Sequence, residues 1–293
     1  MLLTLLCLLS ADPVFPDDLV RFAPGEPAAF STDGLLWASA VRERGAIVEG
    51  PGGVWRLYFT GYDGTREGIK RVGLAESADG GRTWSARPDP VTPEGLWTED
   101  PFVLHDGERY QMLAEGRGDE PHRLSSDDGI EWTPHGSLTI RRKDGTPIGR
   151  PIGTPVVARH AGVWHLLYER RDAGIWLATS DDLQDWTNVA DEPVFTPSED
   201  GFDSLMIAFN QVVRRGGRYY AYYHGTNGPA KPRPWAVGVA VSDDLRTWRR
   251  FGGNPITDPA DNRSSPWVVG VDDRPRLFTT HGSVQVHGPP TNP

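Results

Sequence analysis

The residues of this chain best suited to chemistry stand at the ends of short aromatic segments. Glu99 and Asp100 open "EDPFVLH", Glu115 and Arg117 follow "YQMLA", Glu169 and Arg171 follow "VWHLLY", and His224 ends "RYYAYYH". Arg42, Glu43 and Arg44 precede "GAIVEG", Tyr62 and Asp63 close "WRLYFTGYD", and His281 follows "RLFTT". Arg150, Thr154, Asp203, Asn210, Asn227, Arg263 and Ser264 hold comparable places. Carboxyl groups in such a set can work as a pair, one donating a proton and the other ionised as base or nucleophile. Imidazole transfers protons near neutral pH, and guanidinium groups hold anions through paired hydrogen bonds.

These residues need elements that bring them together, and the sequence repeats one phrase that does so. "SADGGRTW" (77–84), "SSDDGIEW" (125–132), "TSDDLQDW" (179–186) and "VSDDLRTW" (241–248) align on Trp84, Trp132, Trp186 and Trp248, at spacings of 48, 54 and 62 residues. An Asp stands five before each Trp: Asp79, Asp127, Asp181 and Asp243. Turn chemistry at a fixed phase over such a period indicates stacked supersecondary units. The intervening segments read as three strands before the phrase and one after it, with no amphipathic helix. Four antiparallel strands per unit predict an all-β propeller of five blades in one domain, residues 12–293. The Asp is expected to bond turn amides, and the Trp to pack between neighbouring blades. Five inner-strand pairs stand against four phrases, so the N-terminal segment 27–37 is expected to supply the missing outer strand and close the ring.

In such a ring the first strand of each blade starts at the rim where the second ends. The polar residues named above therefore converge on one funnel, the expected form of a sugar site. The 11 Trp, 8 Tyr and 10 Phe supply core volume in a chain only 38% hydrophobic. The net charge is −10 and the longest basic run is "RRK" at 141–143, so no nucleic-acid partner is expected. Residues 1–11, "MLLTLLCLLSA", read as an export signal, predicting a secreted or periplasmic protein. No stretch is long enough for a membrane span. Cys7 lies in that leader, which leaves the mature chain without thiol chemistry.

The phrases "SDDLxxW" and "DPFVLHDGERY" resemble those of the five-bladed glycoside hydrolases: families 43 and 62, 32 and 68, 117 and 130. "SADGGRTW" is also similar to the Asp box of the six-bladed sialidases. The resemblance implies two carboxyl groups acting on a glycosidic bond. Families 43 and 62 imply an Asp base in blade one, an Asp that tunes the acid in blade two and a Glu acid in blade three. Asp100 matches the blade-two motif. Gly45 stands at the blade-one position with Glu43 two residues earlier, and Gly153 or Thr154 stands at the blade-three position. Asp100, Glu43 and Glu169 are therefore the catalytic candidates, with Glu115, His224 or His281 as other proton donors. Arg42, Tyr62, Glu115, Arg117, Arg150, Asp203, His224 and His281 are the substrate-binding candidates. Several arginines beside the acids suggest an anionic or phosphorylated sugar. No cofactor is required, though the likeness to family 43 suggests a channel calcium supported by His281. The expectation is a glycan-processing hydrolase of an oligosaccharide or polysaccharide. A catalytically silent carbohydrate-binding propeller is the alternative, and a phosphorylase or a sialidase-like enzyme ranks lower.

Overall fold

Strands dominate because aromatic and β-branched residues run continuously through segments such as "WRLYFTGY" and "AVGVAVS", which suits strands covered on both faces. In the computed structural model, residues 14–31, 43–62, 68–171, 173–229, 233–280 and 282–289 are described. They form five small, mainly antiparallel sheets arranged as a five-bladed propeller. From the centre outward, blade one is Glu43–Glu49, Trp55–Tyr62, Lys70–Ser77 and Thr83–Ala86. Blade two is Glu99–His105, Tyr110–Gly116, Glu120–Ser126 and Thr133–Ser137. Blade three is Gly153–His160, Val163–Glu169, Ile175–Ser180 and Asp185–Asn188. Blade four is Met206–Arg215, Arg218–Thr226, Ala236–Ser242 and Arg249–Arg250. Blade five has Pro266–Val269, Arg276–Thr279 and Gln285–His287. The inner strands lie side by side in chain order, and that of blade five also packs beside that of blade one.

The start of the described chain touches both sides of this junction. Glu26–Pro27 pairs antiparallel with Gln285–His287, and Ala29–Ser31 runs parallel to Thr83–Ala86. Residues 32–37 of the segment expected to close the ring lie outside the described residues, as does the leader 1–11. A short helix, Asp17–Val20, was not anticipated from the sequence. Leu19 and Val20 join Phe15 in burying against Tyr220, Tyr222 and Leu277 of blades four and five. A second unforeseen strand, Thr139–Arg141, runs parallel to Asp185–Asn188. Among the described residues no helix is long and apolar enough to cross a membrane.

The repeated phrase forms the turn between the third and fourth strands, but its working Asp is not the one counted from the sequence. Asp79 accepts from the amides of Arg82 and Thr83, at 3.0 Å each. In the other blades the acceptors are Asp128, Asp182 and Asp244, four before the Trp rather than five. The unit that recurs is Ser-x-Asp: Ser77, Ser126, Ser180 and Ser242 each share a hydrogen with the Asp two residues on. Blade one inserts one extra residue before its Trp, which shifts the count. Asp127 and Asp243 point outward to ion pairs with Arg109 and Arg218. Each Trp indole donates to the carbonyl three residues back, whose residue has positive φ. Gly81 and Gly129 take that conformation freely, whereas Leu183 and Leu245 adopt it with a steric penalty. Trp132 and Trp84 meet Tyr58 and Phe278 of the neighbouring blades, while Trp248 packs on Phe209 of its own.

Candidate functional site

Strand register decides which side chains share the funnel. Trp55, Tyr110, Trp164 and Tyr219 each pair with the Ser of the repeated turn. Five residues further on, the second strands carry Thr60, Glu115, Glu169 and His224 at like positions. These pair with Glu43, Glu99, Gly153 and Ala208 of the inner strands, and in each blade the register then slips through a bulge. The blade-three counterpart of Asp100 is Thr154; in blade one Arg44 follows the paired Glu43, while Gly45 makes the amide bond to the preceding blade that Asp100 and Thr154 make.

The bulges tie blade to blade. The Asp100 amide donates to Thr60 Oγ1 at 2.9 Å, and the Gly45 amide to Thr280 Oγ1 at 3.1 Å. The Thr154 amide donates to Glu115 in the same way. Each of these bonds joins an inner strand to the second strand of the preceding blade. Asp100 and Thr154 are left-handed, with φ of 50° and 44°, and each precedes a proline. For a β-branched residue this is a genuine outlier, of the kind that persists where surrounding structure enforces it. The buried Thr154 hydroxyl has no hydrogen-bond partner among the described residues.

Four carboxyl groups gather where blades two and three meet. Glu99 forms an ion pair with Lys70 and accepts from Trp97 Nε1 at 2.7 Å. Glu115 is buried behind it. Burial, reinforced by the Asp100 charge, pushes its carboxyl well above the ordinary range, against the opposing pull of the Thr154 amide. Glu169 comes within reach because residue 153 is glycine. A Cβ built there would lie 3.1 Å from Glu169 Oε2 and 3.2 Å from Glu115 Oε1. The arrangement sets one carboxyl of raised proton affinity beside others, which suits proton donation near a base.

The other candidates are distributed as follows. Tyr62 is buried under Lys70, whose Nζ lies 5.7 Å from its ring centroid. Arg117 lies over the Trp97 ring at 5.8 Å. Arg150 donates to the Arg117 carbonyl and pairs with Glu120 at 3.5 Å. In blade four, His224 Nδ1 lies 2.9 Å from Asn210 Oδ1 and its ring meets Trp235 edge-on. Asp203 stands apart from the carboxyl cluster: its buried carboxylate takes Arg250 at 2.9 Å and the Tyr223 hydroxyl at 3.0 Å. Arg42, Asp63 and His281 lie outside the described residues, as do the side chains of Glu43 and Arg44. Among the described residues no group of three His, Cys, Asp or Glu is placed to hold a metal ion. His281, which the suggested channel calcium would need, lies outside the described residues.

Lys70 and Trp97 were missed by sequence reasoning. Lys70 opens a third strand, away from the first- and second-strand ends that point to the funnel. Trp97 lies in the polar loop "PEGLWTED", where an isolated large aromatic was the available signal.

Comparison with known proteins places this geometry among relatives. The chain shares its fold with five-bladed glycoside hydrolases. A glycosyl hydrolase from Bacteroides ovatus superposes with a TM-score of 0.71 at 18% identity, covering 95% of this chain and 96% of that one. The GH43_1 enzyme from Xanthomonas citri complexed with xylotriose gives 0.58 at 19% identity, over 76% and 77% of the two chains. An uncharacterized protein of Mycobacterium tuberculosis is 29% identical over 224 residues, 69% of this chain and 70% of its own. No family model matches the sequence. At these identities the structures speak to the fold, and the chemistry rests on the residues of this chain.

Proposed function

We propose that this protein is an exported glycoside hydrolase that cleaves its glycan with the carboxyl groups gathered between blades two and three. The observation that carries the reading is the buried Glu115 carboxyl, whose proton affinity is raised by burial and by the Asp100 charge beside it. Asp100 serves as the ionised member. Glu115 supplies the proton, with Glu169 beside it across Gly153 as the second acid in reach. One protonated and one ionised carboxyl group are what protonation of a leaving oxygen and attack at the anomeric carbon need. The fold shared with glycoside hydrolases supports a sugar as the substrate class.

The test is turnover of a broad panel of neutral and acidic oligosaccharides by wild type and Asp100→Asn. Product from wild type that falls by about 100-fold or more in the variant supports the reading. One observation favours a silent carbohydrate-binding propeller instead: Thr154, with no carboxyl group, occupies the blade-three counterpart of Asp100. Binding without product from any member of the panel would select that second reading.

A further inference from the structure

A groove of about 260 Å³ lies on blade two. Its lining includes Gly116, the residue after Glu115, and Trp97, which bonds the Glu99 carboxylate. Arg117, Glu120, His122 and Ser137 also line it. Gly116 leaves no room for a side chain: a Cβ there would lie 2.9 Å from the Glu120 carbonyl and 3.0 Å from His122 Nδ1. The volume is just under the ~300 Å³ where small-ligand sites begin, which suits a single sugar unit.

The charges in this groove do not cancel. The Glu120 carboxylate takes the Ser137 hydroxyl at 2.8 Å and Arg150 at 3.5 Å. Lys70 neutralises Glu99. Burial lowers the proton affinity of His122, so its ring is neutral near pH 7. Arg117 is left: it is exposed, and its guanidinium makes no ion pair among the described residues. Its guanidinium lies 5.8 Å from the centre of the Trp97 ring, and Trp97 is itself fixed by its bond to Glu99. An exposed guanidinium in a groove of this size can hold a planar anion through paired hydrogen bonds.

Building on the glycan reading above, we propose that this groove binds the neighbouring sugar unit of the substrate and that this unit is a uronate, its carboxylate paired with Arg117. Trp97 lines the groove beside the bound unit. Arg117 is thus a specificity-determining residue for acidic glycans.

The experiment uses uronate-bearing oligosaccharides from pectin, glucuronoxylan and alginate, each paired with its own carboxyl-reduced form. Binding is measured by calorimetry on Asp100→Asn, and turnover on the unmodified protein. At least one acidic member is expected to bind about tenfold more tightly than its reduced form, a preference that fades with added salt. Arg117→Met is expected to bring that ratio close to one. Arg117→Lys keeps part of it, and Arg87→Met, on the exposed edge of blade one, leaves it unchanged. Equal binding of acidic and reduced forms, or a preference that survives Arg117→Met, overturns the proposal while leaving the glycan reading intact. If no sugar, acidic or neutral, is bound or cleaved, both fall.

Discussion

The amide of Asp100 donates to the Thr60 hydroxyl of the preceding blade across 2.9 Å, so a candidate catalytic residue is held by a neighbour 40 positions away. Asp100 needs that hold because it is left-handed before a proline, a conformation its own sequence disfavours. Thr60→Val keeps the shape of the side chain and removes the acceptor. It leaves a buried amide unsatisfied, which costs about 1–3 kcal/mol. Turnover should fall about tenfold or more, beyond what lost stability explains at temperatures where the variant remains folded. Urea denaturation and kinetics on one preparation test this, and unchanged turnover in a destabilised variant would show that the bond serves the scaffold alone.

Glu115 gives a prediction with a definite sign. Its folded-state proton affinity is raised, so between the ordinary carboxyl range and the raised value the folded chain holds more protons than the unfolded one. Stability therefore falls as pH rises through that interval. Glu115→Gln should flatten this dependence, as read from urea midpoints at several values between about pH 4 and pH 8. If Glu115 is the proton donor, the same variant also loses the basic limb of the pH–rate profile. A basic limb that persists would move the donor role to Glu169.

The fold was largely legible because its evidence is local and repeated: aromatic strands separated by a turn at constant phase. The turn itself was read one residue out in three blades. In "SDD" two adjacent Asp residues compete for the same role, and the working one is found by counting on from the Ser, whereas counting back from the Trp picks its neighbour. The site was legible where it follows strand ends, as with Asp100, Glu115 and Glu169. It was not legible where partners cross blades. Lys70 reaches Glu99 over 29 positions, and the Thr154 amide reaches Glu115 over 39. Asp203 ends a polar loop as a binding residue would, yet its partner Arg250 arrives from an outer strand 47 positions on.

Gly153 separates packing from chemistry. Gly153→Ala would set a methyl group 3.1–3.2 Å from carboxylate oxygens of both Glu169 and Glu115, closer than most real contacts of that kind. The backbone there tolerates alanine, so the strain falls on the two acids. Turnover is expected to drop by about tenfold or more with a midpoint shift equivalent to about 1–3 kcal/mol. Gly238→Ala is the contrast: its Cβ would meet the Tyr223 ring at 2.4 Å, so it should chiefly destabilise. If the two variants lose activity only in proportion to stability, the spacing of the two glutamates carries no chemistry.

The Ser-x-Asp turns predict an asymmetry between neighbouring aspartates. Asp182 accepts from the amides of Gln184 and Asp185 at 2.9 Å each, whereas Asp181 is exposed and takes no part in the turn. Asp182→Ala should cost about 1 kcal/mol, as losing a capping side chain does. Asp181→Ala should stay within about 0.5 kcal/mol of wild type. The amides also hold these carboxyls below their usual range: the Thr83 amide leads in bringing Asp79 to about 2, and the Asp185 amide leads in lowering Asp182. A depressed carboxyl stabilises the fold above the unfolded value and loses that contribution as pH falls through its lowered value. Thermal melts between about pH 5 and pH 2 should therefore show a smaller acid-induced drop for Asp182→Ala than for wild type. An equal drop in the Asp181 and Asp182 variants would mean that the turn carboxylates do not set the acid limit of the propeller.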